Sequence, residues 1–529
     1  MHFMRNLFAP RFIDRAQENP DNGHGQWTEA RLRELLTREA QGAEIVVVAN
    51  REPYIHVHTP DGIRIQRPAS GLVTALEPVM RACAGTWIAH GSGTADRETV
   101  DRDDRIAVPP SDPRYRLRRV WLTPEEEAGY YAGFANEGLW PLCHIAHVRP
   151  TFRASDWQHY RKVNARFADA VAKEARTSDP IVLVQDYHYA LLPRMIVERV
   201  RRATVVTFWH IPWPNPEAFA ICPWRHELLD GLLGSTILGF HTQFHCNNFL
   251  DTADRLLEAR VDRDTFSIAI GGRSTFVRRY PISIEWPPRE LASAPSVDDA
   301  RLAVRTRLGL PPRHALGVGI DRLDYTKGLE ERIRAVERLL ELHPRWIGRF
   351  TFAQIAAPSR WAIDDYRRYA DRVRALAASI NAKFASARHP PIVLIEQHHE
   401  VDAVYEYLRA ADLCFVSSLH DGMNLVAKEF VAARDDDSGV LILSRFAGAA
   451  RELAEALIVN PYDADECAGA LHAALTMRAD ERRERMRLMR RYVSEFNVHR
   501  WAGRMLQDAT AMRRRNRLWS RLPAADALV

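Results

Sequence analysis

The sequence predicts an α/β protein built from two doubly wound, parallel-sheet domains. Three observations carry this expectation. Short, continuously apolar runs recur along the chain, each closed by polar or charged residues. Amphipathic stretches of helical period separate them. A Pro- and Ser-rich break, YPISIEWPPRELASAPSVDD at 280–299, divides the 529 residues into halves of similar size. Strands apolar on both faces belong to parallel sheets covered by helices, and a chain this long exceeds one hydrophobic core.

In chain order, EIVVVAN (44–50) reads as a first strand ending at a polar turn. PIVLVQDYHY (180–189), ATVVTFWHIPWP (203–214) and TILGFHT (236–242) repeat the design. Beyond the break, ALGVGIDRLDY (315–325), RFTFAQIAAPSR (349–360), PIVLIEQHHE (391–400), DLCFVSSLHDG (412–422) and GVLILSRFAG (439–448) continue it, with helical patterns at 327–343 and 363–381 between them. The expected organisation is an extension over 1–43, a domain over 44–285, a second over 286–497, and a C-terminal helix over 498–529. Ligands of doubly wound sheets bind beyond the carboxyl ends of the strands. The polar strand ends here are Asn50-Arg51, Asp186-Tyr187-His188, His210, Arg322, Arg360, His399 and Asp421. They place the expected chemistry in an interdomain cleft.

Composition narrows the function. The net charge of +5 is mild for this length, which argues against a dedicated nucleic-acid binder. The six cysteines contain no CxxC pair, so neither a zinc ribbon nor a disulfide framework is expected, and a reducing cytoplasm fits. No apolar run is long enough to span a membrane. The opening MHFMRNLFAPRFIDRAQ carries Arg and Asp where a signal peptide needs apolar residues. GxSxG and GxxxxGK[ST] are both absent. His398 and His399 alternate faces on a strand and do not suit one metal ion, so no metal is expected.

Three clusters point to anions. In DRLDYTKG, Arg322 and Lys327 follow a strand and precede a helix N-terminus, which offers free N–H groups to a diphosphate. A surface Arg–Asp pair beside a solvated Lys is the simpler alternative. In SSLHDGMNLVAKE, the Asp421-Gly422 turn feeds a helix at Leu425-Val426, and Glu429 could accept from ribose hydroxyls or lie on a helix surface. In NREPY and RPASGLVTAL, Arg51 ends a strand and Gly71 opens a helix. Arg360 ends another strand, which suggests a second phosphate site apart from Arg322.

The ordered stretches ANREP, YYAGFANEGLWPLCH, QDYHYALLP, HIPWPNPE, DRLDYTKGLEER, QIAAPSR, LHDGMNLVAKEFVAA and SRFAGAARELAEALIVNPYD cover about 44–510. Together they resemble the trehalose-6-phosphate synthases, the retaining glycosyltransferases of family 20. The resemblance implies a GT-B fold of two facing Rossmann-like domains, with the last helix crossing back to the first domain. It implies a donor site of Gly71, His210, Arg322, Lys327, His399, Asp421, Gly422, Met423, Asn424, Leu425, Val426 and Glu429. It implies an acceptor site of Arg51, Tyr131, Trp140, Asp186 and Arg360. Asp186, His210, Arg322, Lys327 and Asp421 are the expected catalytic set.

The implied reaction moves glucose from UDP-glucose to glucose 6-phosphate with retention, with no cofactor, no membrane and no nucleic acid partner, in a possible dimer or tetramer. Departures from the family pattern are Ser70 for the first Gly of the Gly-Gly loop, Gln185 for His, and His420 for Arg. NREPY also resembles the related glucosylglycerol-phosphate synthases, which makes glycerol 3-phosphate the alternative acceptor. A catalytically silent sugar-phosphate sensor is the alternative of another class.

Overall fold

The computed structural model describes residues 26–40, 42–68, 71–385, 388–397 and 399–519. Most of the expected N-terminal extension, Ser70 and His398 lie outside the described residues. Chain contacts divide the protein into two units. The first gathers the described residues up to Cys143, then Arg149–Pro281 and the chain from His499; the second gathers His144–Val148 and Ile282–Val498.

The first unit is built on a ten-stranded sheet. Its central strand, Ile45–Val48, is fully buried and pairs in parallel with Thr86–His90 on one side and Ile181–Gln185 on the other. Tyr115–Val120 continues one flank; Thr204–Phe208, Ile237–Phe240 and Arg273–Arg279 continue the other, all in parallel. Antiparallel pairs close both edges. The chain leaves the central strand first to one side and then to the other, which creates a topological switch point at its carboxyl end.

The second unit carries six parallel strands in the spatial order Ile392–Ile395, Phe350–Ala357, Ala315–Arg322, Leu413–Val416, Val440–Ser444 and Leu457–Val459. In chain order this reads 3-2-1-4-5-6, the Rossmann arrangement, with its switch point between Ala315–Arg322 and Leu413–Val416. These strands are nearly all apolar and buried because helices such as Leu329–Leu342 and Asp364–Lys383 present apolar faces to them.

The last helix, Val498–Trp519, packs on the first unit. Trp501 meets Phe208 edge to face at 5.3 Å, Arg513 pairs with Asp179 at 3.1 Å, and Tyr280 donates to Asp508. No described helix is long and apolar enough to cross a membrane.

Candidate active site

At the first switch point the strand ends stand in a row. Asn50 and Arg51 follow the central strand, His90 ends its neighbour, and Asp186 and His210 follow the next two strands. Arg51 is exposed, and its only recorded hydrogen bond is a 3.3 Å donation to the Tyr131 hydroxyl. Among the described residues it has no carboxylate partner.

Tyr131 comes from Ala128–Leu139, wound as a π-helix. Such windings are rare and cluster at functional sites. The π-helix turns Tyr130 inward, where its hydroxyl donates to Asn50 at 3.0 Å, and stacks Tyr131 on His188 at 5.5 Å. Trp140, directly after it, is buried against Tyr187.

Asp186 has a positive φ of 76°, an uncommon geometry for a residue with a side chain. Its Oδ1 accepts from the backbone N–H of Tyr187 at 2.9 Å and of His210 at 3.2 Å. Two strand ends are thereby tied through one carboxylate. His210 Nε2 lies 2.8 Å from Gln185 Oε1, so with that oxygen as acceptor Nε2 carries the ring proton. Burial, then His241 and His188, holds the imidazole well below its ordinary pKa, hence neutral. Gly71 opens the helix Gly71–Cys83.

The second switch point is held by a buried network. Arg332, fully buried, donates to Asp321 at 2.6 Å, Gln354 at 2.8 Å and Ser417 at 2.9 Å, and so joins three adjacent strands. Ser417 in turn donates to the carbonyl of Gly328 at 2.7 Å. Gly328 has φ 64°, and a Cβ there would sit 2.2 Å from the Ser417 carbonyl, so only glycine fits this turn. The turn delivers Lys327, which pairs with Asp421. Asp421 is held further by Ser418 Oγ at 3.2 Å and Asn424 Nδ2 at 3.4 Å. Burial alone would raise the Asp421 carboxyl, but Lys327, His144 and Ser418 together outweigh it and bring the pKa down to about 2.

The expected turn before the 425 helix is present. Asn424, at φ 75°, caps the helix Leu425–Ala433 by accepting from the Ala427 N–H at 3.3 Å. The Met423 carbonyl accepts from Ala449, and Gly448 approaches Gly422 so closely that a Cβ would meet its carbonyl at 2.0 Å. Lys428 is buried and structural, donating to the Ile282 carbonyl at 2.7 Å and pairing with Glu452. Glu429, one residue on, makes no recorded hydrogen bond. Burial, with Glu290 nearby, pushes it up to about 7.

Arg322 and Arg360, the two strand-end arginines, meet at the same carboxylate oxygen, Asp324 Oδ2, at 3.7 and 3.1 Å. The cause is register: Phe350–Ala357 pairs with Ala315–Arg322 so that Ala357 faces Arg322, and the residues beyond both ends fall side by side. Arg360 also donates to the Tyr366 hydroxyl and lies over that ring. His399 stands edge to face with Tyr407 at 5.8 Å.

Sequence reasoning did not single out Arg332, Asp324 or Asp321, which organise this half. Arg332 looked like one more charge on an amphipathic helix. Among the described residues, no cluster of three or more His, Cys, Asp or Glu side chains is arranged to hold a metal ion.

Comparison with known proteins gives these geometries a family. The family model for glycosyltransferase family 20 matches residues 43–511. The trehalose-6-phosphate synthase of Mycolicibacterium smegmatis is 37% identical over 479 residues, covering 89% of this chain and 92% of that protein. An E. coli structure described as trehalose-6-phosphate bound with UDP-2-fluoro glucose aligns at TM-score 0.78 and 32% identity, over 88% of this chain and 99% of that one. A UDP-forming α,α-trehalose-phosphate synthase from Burkholderia xenovorans, in complex with glucose-6-phosphate, aligns at TM-score 0.77 and 30% identity, over 88% and 99%. The architecture is that of the GT-B enzymes, and the chain belongs to glycosyltransferase family 20.

Proposed function

We propose that this glycosyltransferase moves glucose from UDP-glucose to glucose 6-phosphate, with retention, giving α,α-trehalose 6-phosphate and UDP. The observation that carries the reading is that each unit presents cations at its own switch point: Arg51 on the first, and Arg322, Lys327 and Arg360 on the second. Two anionic substrates ask for two such places.

In this reading Arg322 and Lys327 take the UDP diphosphate and stabilise the charge that grows on it as the glycosidic bond breaks. Asp421 and the amides after it take glucose hydroxyls. Glu429 takes the ribose, and its lack of a recorded donor suits a carboxylate that two hydroxyls will satisfy. His399 lies toward the base. Tyr131, Trp140 and Asp186 are assigned to the acceptor, and Arg51 and Arg360 to its phosphate. Gly71 belongs to a loop over the donor, and neutral His210 lies at the transferred sugar.

A double displacement needs a carboxylate nucleophile about 5 Å from a second carboxyl. Asp186 is committed to two backbone amides and Asp421 to Lys327. That favours a one-face route in which the leaving diphosphate takes the acceptor proton.

The test is UDP release from UDP-glucose across acceptors, with the product's anomeric configuration read by NMR. Glucose 6-phosphate should support turnover and glycerol 3-phosphate should not. The reverse preference would replace the acceptor assignment, and no UDP release with either would remove the catalytic reading.

A further inference from the structure

Arg119 lies on Tyr115–Val120, beside Thr86–His90 in the first unit's sheet, and is fully buried. Its guanidinium reaches the two loops that leave the carboxyl ends of Ile45–Val48 and Thr86–His90. Toward the first loop it donates to Glu52 Oε2 at 2.8 Å, the Tyr54 carbonyl at 3.0 Å and His56 Nδ1 at 2.7 Å. Toward the second it donates to the Asp96 carbonyl at 2.9 Å and the Thr99 hydroxyl at 2.8 Å, and it pairs with Asp96 Oδ1 at 2.8 Å. None of these side-chain bonds goes to the ten-stranded sheet itself; all go to chain at its site end.

The two carboxyls then cross between the loops. Glu52 accepts from the Ser92 N–H at 2.9 Å, and Asp96 accepts from the His56 N–H at 2.8 Å. Asp96 also accepts from the Gly93 N–H at 2.6 Å. A Cβ at Gly93 would collide with the His56 carbonyl, so only glycine lets the loops approach this closely.

The charges of this lock close. A guanidinium only donates, so His56 Nδ1 accepts and the ring is neutral, in keeping with burial and Arg119, which both lower its pKa. Burial and Asp96 push Glu52 up to about 8 against the pull of Arg119, so near pH 7 it holds a proton. Against burial, Glu52, the His56 N–H and Arg119 hold Asp96 below the usual carboxylate range. One cation therefore faces one carboxylate. No ionised carboxyl of the lock is left over for Arg51, which adjoins Glu52 and lines one cavity with it.

We propose that Arg119 is a positioning residue for the reaction: it locks the loop that carries Arg51 and occupies the carboxyls beside it, so that Arg51 stands in a set place and stays free for the acceptor's phosphate. The proposal rests on the assignment of Arg51 to that phosphate. The one recorded hydrogen bond of Arg51 goes to Tyr131, so its own side chain does little to fix it. The loop beneath must do so, because a displacement of about 1 Å can cost about 10²-fold where a clamp has to meet its substrate.

The experiment varies glucose 6-phosphate at saturating UDP-glucose. Arg119→Lys keeps the charge, but an ammonium lacks the planar fork that reaches both loops at once. It should raise the acceptor KM about tenfold or more and leave the UDP-glucose KM and the UDP-binding stoichiometry unchanged. A merely structural role would instead lower the folded fraction, and with it kcat and stoichiometry, at constant KM. Glu52→Ala, which leaves Arg119 paired with Asp96, reads the same split where Arg119→Lys does not fold. Either substitution is then added to Arg51→Ala. If Arg119 acts through Arg51, the acceptor KM changes there by less than about twofold; a full further rise, or an unchanged KM without Arg51→Ala, overturns the proposal. The Arg51 Nε–H NMR signal, assigned by its loss in R51A, needs no turnover. A shift of that signal in R119K without glucose 6-phosphate turnover supports the lock and removes the acceptor; turnover with an unmoved signal removes the lock alone.

Discussion

The second unit ties its strand-end cations into partners, whereas the first leaves Arg51 with one hydroxyl. Lys327 is paired with Asp421, Arg322 and Arg360 meet at Asp324, and Arg332 braces the strands beneath them. The first unit also owns a buried cation, Arg119, but spends it on Glu52 and Asp96 one strand flank away. The contrast teaches that similar topology carries two kinds of anion site. One is preorganised, so that charge developing during reaction meets fixed dipoles and cations. The other keeps a solvated cation in reserve for an incoming anion, and its contribution should appear in binding more than in turnover.

The contrast breaks most severely if the brace is removed. Arg332→Met leaves Asp321 buried without its partner and should cost about 3–5 kcal/mol of stability, read by chemical denaturation. A loss below about 1 kcal/mol, the scale of an exposed pair, would mean that the network is ornamental. Next comes Lys327→Ala, expected to lower turnover about 10²- to 10³-fold at saturating substrates; near-normal turnover would refute its role.

Arg51→Ala should raise the acceptor KM about 10- to 100-fold, as for lost hydrogen bonds to a charged group, with a smaller change in kcat. Arg360→Ala sharpens the comparison. It should raise the acceptor KM too, and a rise confined to UDP-glucose would move Arg360 to the nucleotide.

The smallest effect concerns pH. The Glu429 carboxyl is raised to about 7 by burial and Glu290, with Tyr405 also close by. The ionised carboxylate accepts from both ribose hydroxyls more strongly than the protonated form does, so donor affinity should be full well above pH 7 and fall as pH drops through it. Glu429→Gln should flatten that dependence; a wild-type UDP-glucose KM constant from pH 8 to pH 6 would remove Glu429 from the ribose.

The strands were legible where apolar runs were continuous. All nine runs expected from the sequence are strands, because burial on both faces leaves no polar residue to break the pattern. Tyr115–Val120 was not legible, because YRLRRV alternates arginine with apolar residues like a half-exposed strand. Its Arg119 is nevertheless fully buried, satisfied by Glu52 and Asp96 more than twenty residues away in sequence. The π-helix likewise has no periodic signature, since AGYYAGFANEGL spreads small, aromatic and polar residues at no fixed spacing. Site residues at strand ends could be named from sequence because topology puts them together. Side-chain partners such as Gln185 for His210, or Asp324 for both arginines, depend on register and could not. His90 ended the apolar run TWIAH just as Arg322 ended its own, and that signal was present to be read.

The most direct measurement is calorimetric binding of UDP to the wild-type protein and to Arg51→Ala and Lys327→Ala. If the units bind different anions, Arg51→Ala binds UDP as tightly as wild type while Lys327→Ala loses about tenfold or more. Equal weakening by both substitutions would contradict separate seats.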